Sequence, residues 1–249
     1  MSSLTEYKFE NIYDFTAIIE SHIDINWPLW NYPIKQFEDS SCNFRKTTLF
    51  HLYAVNILYN HFNRDFKKNE DYYQEEDVIE SWYELFDAYE IYVPVYKFKE
   101  SYTIYKWFLN RKKEFSLLFH YLAEESFYIT FNNRNLMLKF NYLMKQIITD
   151  NIDTFNIKNK TKKGTIKRTN IPEWVKKAVF HRDKGRCVYC NTDLTMIFNT
   201  LVNKNYDHMV PLDLYGSNDP CNIQLSCETC NKTKSNTHHS TSKNYLTWW

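Results

Sequence analysis

Two pairs of cysteines set the chemistry that this sequence can carry. Cys187-Val-Tyr-Cys190 and Cys227-Glu-Thr-Cys230 each separate two thiols by two residues, a spacing at which one turn aims both sulfurs at a single tetrahedral ion. Four soft ligands suit a structural zinc. Buried free thiols or two disulfides are the alternatives; a redox Cys-x-x-Cys would need a βαβ context that is absent from the pattern. The 36 residues between the knuckles exceed a usual zinc-ribbon spacer, so something else is built in that loop. It holds Asp207-His208-Met-Val-Pro211, then Gly216-Ser-Asn-Asp, then Asn222, and Asn231 follows the last cysteine. A neutral imidazole can take a proton from water near pH 7. Asp207, one residue earlier on a strand, projects the other way and can hold a hard divalent ion.

The elements that must position these groups are short. Tyr206 to Pro211 reads as a strand ended by proline, Gly216 to Pro220 as a turn cluster, and Asn222 to Ser226 as a second strand. A helix runs from Glu228 to about Thr237, with Asn231 in its first turns. Upstream, Ile171 to Phe180 reads as a helix with Pro172 in its first turn, Glu173 at its positive end, and Trp174, Val175, Ala178 and Val179 as an apolar stripe. Gly185 supplies a left-handed residue before the first knuckle. His181, beside Arg182 and Lys184, reads as a surface histidine rather than a ligand.

Two strands and a helix around an ion make a ββα-metal unit, and the ordered set Cys-x-x-Cys, Asp-His-x-x-Pro, Gly, Asn-x-x-x-x-Cys-x-x-Cys-Asn-x-x-Lys resembles the HNH endonuclease family in its cysteine-containing form. The resemblance covers about residues 172–237 and implies a treble-clef-like zinc site on Cys187, Cys190, Cys227 and Cys230. It implies that His208 is the general base, that Asn222 fixes the loop that aims it, and that Asp207 and Asn231 hold a catalytic Mg²⁺ or Mn²⁺. Many relatives carry His where this chain has Asn231, and the amide oxygen favours a hard ion over Ni²⁺ or Zn²⁺. Lys204, Lys232 and Lys234 are candidate phosphate contacts.

Charge divides the chain. Residues 1–155 carry 16 Lys+Arg against 23 Asp+Glu, a net −7, and residues 156–249 carry 15 against 7, a net +8. Only the C-terminal part is therefore expected to meet a polyanion. The stretch from Asn156 to Asn170 combines Lys158, Lys160, Lys162, Lys163, Lys167 and Arg168 with Gly164 and three threonines. It reads as an extended linker, either a phosphate-tracking arm or a solubilising tether.

Before it, no glycine occurs and Pro28, Pro33 and Pro94 are the only prolines. Apolar residues at three- and four-residue steps predict five or six amphipathic helices packed as a bundle. Their many aromatics suit core packing better than a stacking platform, because the half is acidic. Loops are expected at Trp27–Pro33 and Tyr92–Phe98, and the acidic run Glu70–Asp77 leads into a helix. Tyr245–Trp249 packs back on the module or on a partner.

The expectation is thus a mainly α protein: a helical bundle over 1–155 of unknown target, a basic linker over 156–171, and a small ββα zinc module over 172–249. No signal peptide or membrane span is readable, and unpaired cysteines suit a reducing cytoplasm. The resemblance implies hydrolysis of DNA, leaving 5′-phosphate and 3′-hydroxyl ends. A catalytically silent zinc-stapled module that binds nucleic acid or a partner, an RNA-cleaving enzyme, and an antiviral effector docking a partner protein through its acidic half are the alternatives.

Overall fold

The computed structural model describes residues 5–29, 32–69, 75–94, 103–197, 202–236 and 238–246. Trp30 and Asn31, most of the acidic run before Asp77, the second half of Tyr92–Phe98, and residues 247–249 lie outside them. The protein is mainly helical with one two-stranded sheet. Among the described residues, seven helices lie before residue 156: α1 (Ile12–Asp24), α2 (Ile34–Cys42), α3 (Leu49–Lys68), α4 (Glu75–Ala88), α5 (Ile104–Asn110), α6 (Lys112–Thr130) and α7 (Arg134–Asn151). Periodicity pointed to five or six. The nine-residue α2 is rich in polar residues and α5 has seven residues, so neither shows a sustained apolar stripe.

The chain forms two compact units, and neither is a single stretch: residues 1–22 with 53–128, and residues 23–52 with 129–249. In the first, the aromatic excess lies inside. Phe66, Phe86, Trp107, Phe108, Phe115 and Phe119 are buried, and the ring of Phe115 stands 4.7–5.7 Å from those of Phe108, Trp82, Phe86, Trp107 and Phe119. Edge-to-face pairs of this kind add to the burial of apolar area. A buried carboxylate closes the same unit, since Glu125 accepts hydrogen bonds from the Lys8 and Phe9 amides and the Tyr89 hydroxyl.

The second unit contains α8 (Glu173–Arg182), β1 (Lys204–His208), β2 (Ile223–Cys227) and α9 (Glu228–Lys234). The strands pair antiparallel, with Asp207 opposite Gln224 and His208 opposite Ile223. A small core of Val175, Val179, Cys187, Leu194, Ile223, Leu225 and Cys227 joins α8 to β2. A buried ion pair supplements it. Asp183 is gripped by Arg182 at 2.9 Å and accepts from the Leu225 amide, while Arg182 donates to the Ile223 carbonyl. Gly185 is left-handed as expected (φ +63°). Gly216 is required for a different reason, because a Cβ there would stand 1.9 Å from the Val210 carbonyl oxygen.

Residues 156–171 are folded rather than extended. A 3₁₀ turn at Ile157–Asn159 leads into a tight hairpin in which Lys160 bridges Ile166, and Ile166 is buried. Composition alone missed this because the hairpin is closed by threonine and backbone hydrogen bonds rather than by an apolar pattern. Among the described residues, no helix is long and apolar enough to cross a membrane. Replacement of Phe115 by Ala is expected to cost about 3–5 kcal/mol through lost packing and a cavity; urea denaturation would show it as a lowered midpoint, and a loss under 1 kcal/mol would contradict this packing.

Candidate functional site

The two knuckles meet. The Sγ atoms of Cys187, Cys190, Cys227 and Cys230 all lie within 4.8 Å of one another. Zinc–sulfur bonds of about 2.3 Å place tetrahedral sulfurs about 3.8 Å apart, and Cys190 Sγ stands 3.7 Å from Cys227 Sγ. The geometry fits a structural zinc. Local backbone explains how two distant turns reach this register: the Cys187 amide donates to the Thr192 carbonyl, and the Val188 amide to the Leu225 carbonyl on β2. At the second knuckle the Cys230 amide points at Cys227 Sγ, the contact expected where α9 begins on its ligand. Burial opposes ionisation of Cys190, yet hydrogen bonds from Thr192 and neighbouring thiols hold it down at about 6, which favours the ligand form.

The other two cysteines take no part. Cys42 and Cys221 are buried free thiols, and burial pushes Cys42 up to about 12 and Cys221 well above the ordinary range.

Inside the 36-residue loop, β1 ends on Asp207 and His208, which alternate across the strand. Asp207 meets Lys234 Nζ at 3.0 Å and accepts from Gln224 Nε2 at 3.1 Å. Gln224 in turn contacts the Tyr189 hydroxyl and the Ser240 carbonyl. The Lys234 side chain is only 3 % exposed, and its ammonium also donates to the His208 carbonyl at 2.7 Å. The Lys234 ammonium thus already neutralises this carboxylate, in the place that a hard cation would take. Occupancy by a divalent ion needs that ammonium to turn away. Asn231 stands three residues before Lys234 on α9, and residues three apart share a helix face. Asp207 is thus an oxygen donor beside α9, the helix that carries Asn231.

His208 lies on the other side. It is 2 % exposed, and neither ring nitrogen has a hydrogen-bond partner. Burial first, then the positive charges of Arg168 and Lys234, pull its pKa down to about 3. A buried polar group without partners costs about 1–3 kcal/mol.

Its surroundings are braced by Asn222. The Asn222 side chain accepts from the Val210 amide at 2.8 Å and donates to the carbonyls of Val210 and Ser217 at 2.9 and 3.0 Å. The Met209 amide donates to the Asn222 carbonyl. One side chain thereby ties both ends of the loop that follows His208.

Sequence reading missed what covers this loop. Asn218 donates from its side chain to the carbonyls of Cys42 and Lys167, and its amide donates to Ser41. Asp219 accepts from the Leu49 and Cys221 amides, so it caps the start of α3; burial raises its carboxyl to about 6. Asn141 of α7 donates to the Cys221 carbonyl. The signal available in advance was the run Ser217-Asn218-Asp219, three polar residues whose turn propensity explained them without long-range partners. Of the three lysines singled out, Lys232 pairs with exposed Glu228 at 2.5 Å, Lys204 sits over the Phe180 ring, and Lys234 is turned inward.

Residues 187–237 match the family model of the HNH endonuclease, a span holding both knuckles, Asp207, His208, Asn222 and Asn231. No curated protein and no solved structure matches the chain. Purified protein is expected to carry one zinc per chain by elemental analysis. Stripping it, or Cys227→Ser, should remove stabilisation on the order of 10 kcal/mol from the 172–246 region, read as rapid proteolysis there; unchanged protease resistance in zinc-free protein would exclude a structural ion.

Proposed function

Because residues 187–237 are an HNH endonuclease domain, we propose that the chain hydrolyses phosphodiester bonds of nucleic acid, with DNA the expected substrate. The supporting observation is the one ββα scaffold that carries the sulfur cluster, Asp207, His208 and the Asn222 brace together. A ring nitrogen of His208 accepts a proton from water, the water oxygen attacks phosphorus, and the bond to the departing 3′ oxygen breaks. Asp207 and Asn231 would hold a hard divalent ion, which would supply charge to polarise the phosphoryl oxygen and neutralise the leaving alkoxide. Asn222 keeps the loop after His208 in one position so that the ring is aimed without reorganisation.

A base with a pKa of about 3 accepts protons weakly. Cleavage therefore requires the cover over His208 to part, so that solvent restores the ordinary basicity of imidazole. The segments to move are those that Asn218 ties down, at Ser41–Cys42 and Lys167.

The sealed ring and the Lys234–Asp207 pair also favour a second reading, a catalytically silent zinc-stapled module that binds nucleic acid. In either case the thiols need a reducing compartment such as the cytoplasm, and the acidic helices offer a face for a basic partner protein, as a defence effector would use.

Cleavage of DNA and RNA with Mg²⁺, Mn²⁺ or EDTA separates the readings. His208→Ala is expected to lower metal-dependent cutting by about 10²–10⁴-fold with zinc content unchanged. Cutting at the wild-type rate would reject His208 as the base, and no cutting of any substrate with either ion would leave the silent module.

A further inference from the structure

Four cations in the second unit have no internal task. Within residues 156–168, Lys160 Nζ donates to the carbonyls of Ile152 and Asp153, and Lys167 Nζ donates to that of Lys158. Those two lysines hold the fold. The charged heads of Lys158, Lys162, Lys163 and Arg168 are exposed and make no hydrogen bond or ion pair among the described residues. From Thr154 to Pro172 the chain has no acidic residue.

These heads are carried on a rigid element. The Thr161 amide donates to the Thr165 carbonyl at 2.8 Å and the Lys167 amide to the Asn159 carbonyl at 2.9 Å. The Thr161 and Thr165 hydroxyls meet at 2.9 Å. Gly164 turns the tip with a φ of +81°, a conformation for which glycine is suited. Both feet are clamped. Glu38 of α2 accepts from the Asn156 amide and the Asn159 side chain, and Asn218 donates to the Lys167 carbonyl at 2.7 Å.

Asn218 follows Ser217, whose carbonyl accepts from the Asn222 side chain that braces the loop after His208, so the second leg of the hairpin is anchored to the candidate catalytic loop. Lys162 and Lys163 lie at the tip, and Lys158 and Arg168 at the feet. About four to five residues of extended chain separate tip from feet, roughly 15 Å at about 3.3 Å per residue. A stiff, acid-free stem with cations at both ends loses little conformational freedom on meeting a polyanion.

We propose that this hairpin is a preformed clamp for the sugar–phosphate backbone of nucleic acid, with Lys162 and Lys163 gripping phosphates away from the cut and Arg168 gripping one beside it. The inference deepens the nuclease reading and rests on it for the identity of the ligand, but it concerns binding and not cleavage.

Binding to labelled duplex DNA, single-stranded DNA and duplex RNA, followed by fluorescence anisotropy in EDTA over 50–200 mM salt, tests it without any chemistry. Lys162→Gln with Lys163→Gln is expected to weaken binding roughly ten- to a hundred-fold at 50 mM salt. The slope of log affinity against log salt should fall by about 2, as two lost phosphate contacts require. Lys112→Gln with Lys113→Gln, on α6, should leave affinity and slope unchanged; a thermal melt of each variant confirms the fold. Wild-type affinity and slope in the hairpin variant, equal losses in both variants, or no binding of any probe by the intact chain would overturn the clamp. Hairpin-dependent binding without metal-dependent cutting would retain the clamp and reject the nuclease.

Discussion

Four sulfurs held at one point govern the second unit. They join the 36-residue loop that carries β1 to the start of α9, beside a cluster of seven buried residues that packs α8 on β2. Closing that loop costs chain entropy that grows slowly with its length, and metal binding can supply on the order of 10 kcal/mol against it. The register that follows sets the chemistry. With Lys204 opposite Cys227, Asp207 falls opposite Gln224 and His208 opposite Ile223, so the carboxylate and the imidazole part to opposite faces.

Polar contacts complete what the small core cannot. Asn141, Asp183, Asn218, Asp219 and Asn222 are all buried, and each reaches at least one backbone group of a segment far along the chain. Directional bonds of this kind specify one arrangement, because a shifted register would leave buried donors without acceptors. The same bonds carry a consequence for function. Those that tie Asn218 to Cys42 and Lys167 hold the loop after His208, and burial of the ring lowers its basicity. Stability of the cover and access to the ring are thus opposed in a single set of hydrogen bonds.

The asymmetry of charge has a structural counterpart. In the acidic part of the chain the aromatics are spent on a packed interior around Trp82 and Phe115. In the basic part four exposed cations, Lys158, Lys162, Lys163 and Arg168, lie on or beside a short, threonine-closed hairpin. Electrostatic attraction to phosphate is long-ranged and salt-screened, so cations on a rigid stem can engage a backbone while the site behind them is still closed.

The sequence by itself determined the local features. The Cys-x-x-Cys pairs, the left-handed Gly185 and the long amphipathic helices are all set by spacing or by the conformational limits of single residues, whereas the first strand runs over Lys204–His208 and ends before Pro211. Asn222 was identifiable from its place in an ordered motif. Only the tertiary structure decided that Ser41–Leu49, α7 and the segment at Lys167 converge on Ser217–Asn222, that Lys234 turns inward to Asp207, and that the 156–168 stretch holds a hairpin. For the convergence on Ser217–Asn222 the physical reason is that the partners include backbone carbonyls and amides distant in sequence, and a backbone group has no residue type by which a pattern could reveal it.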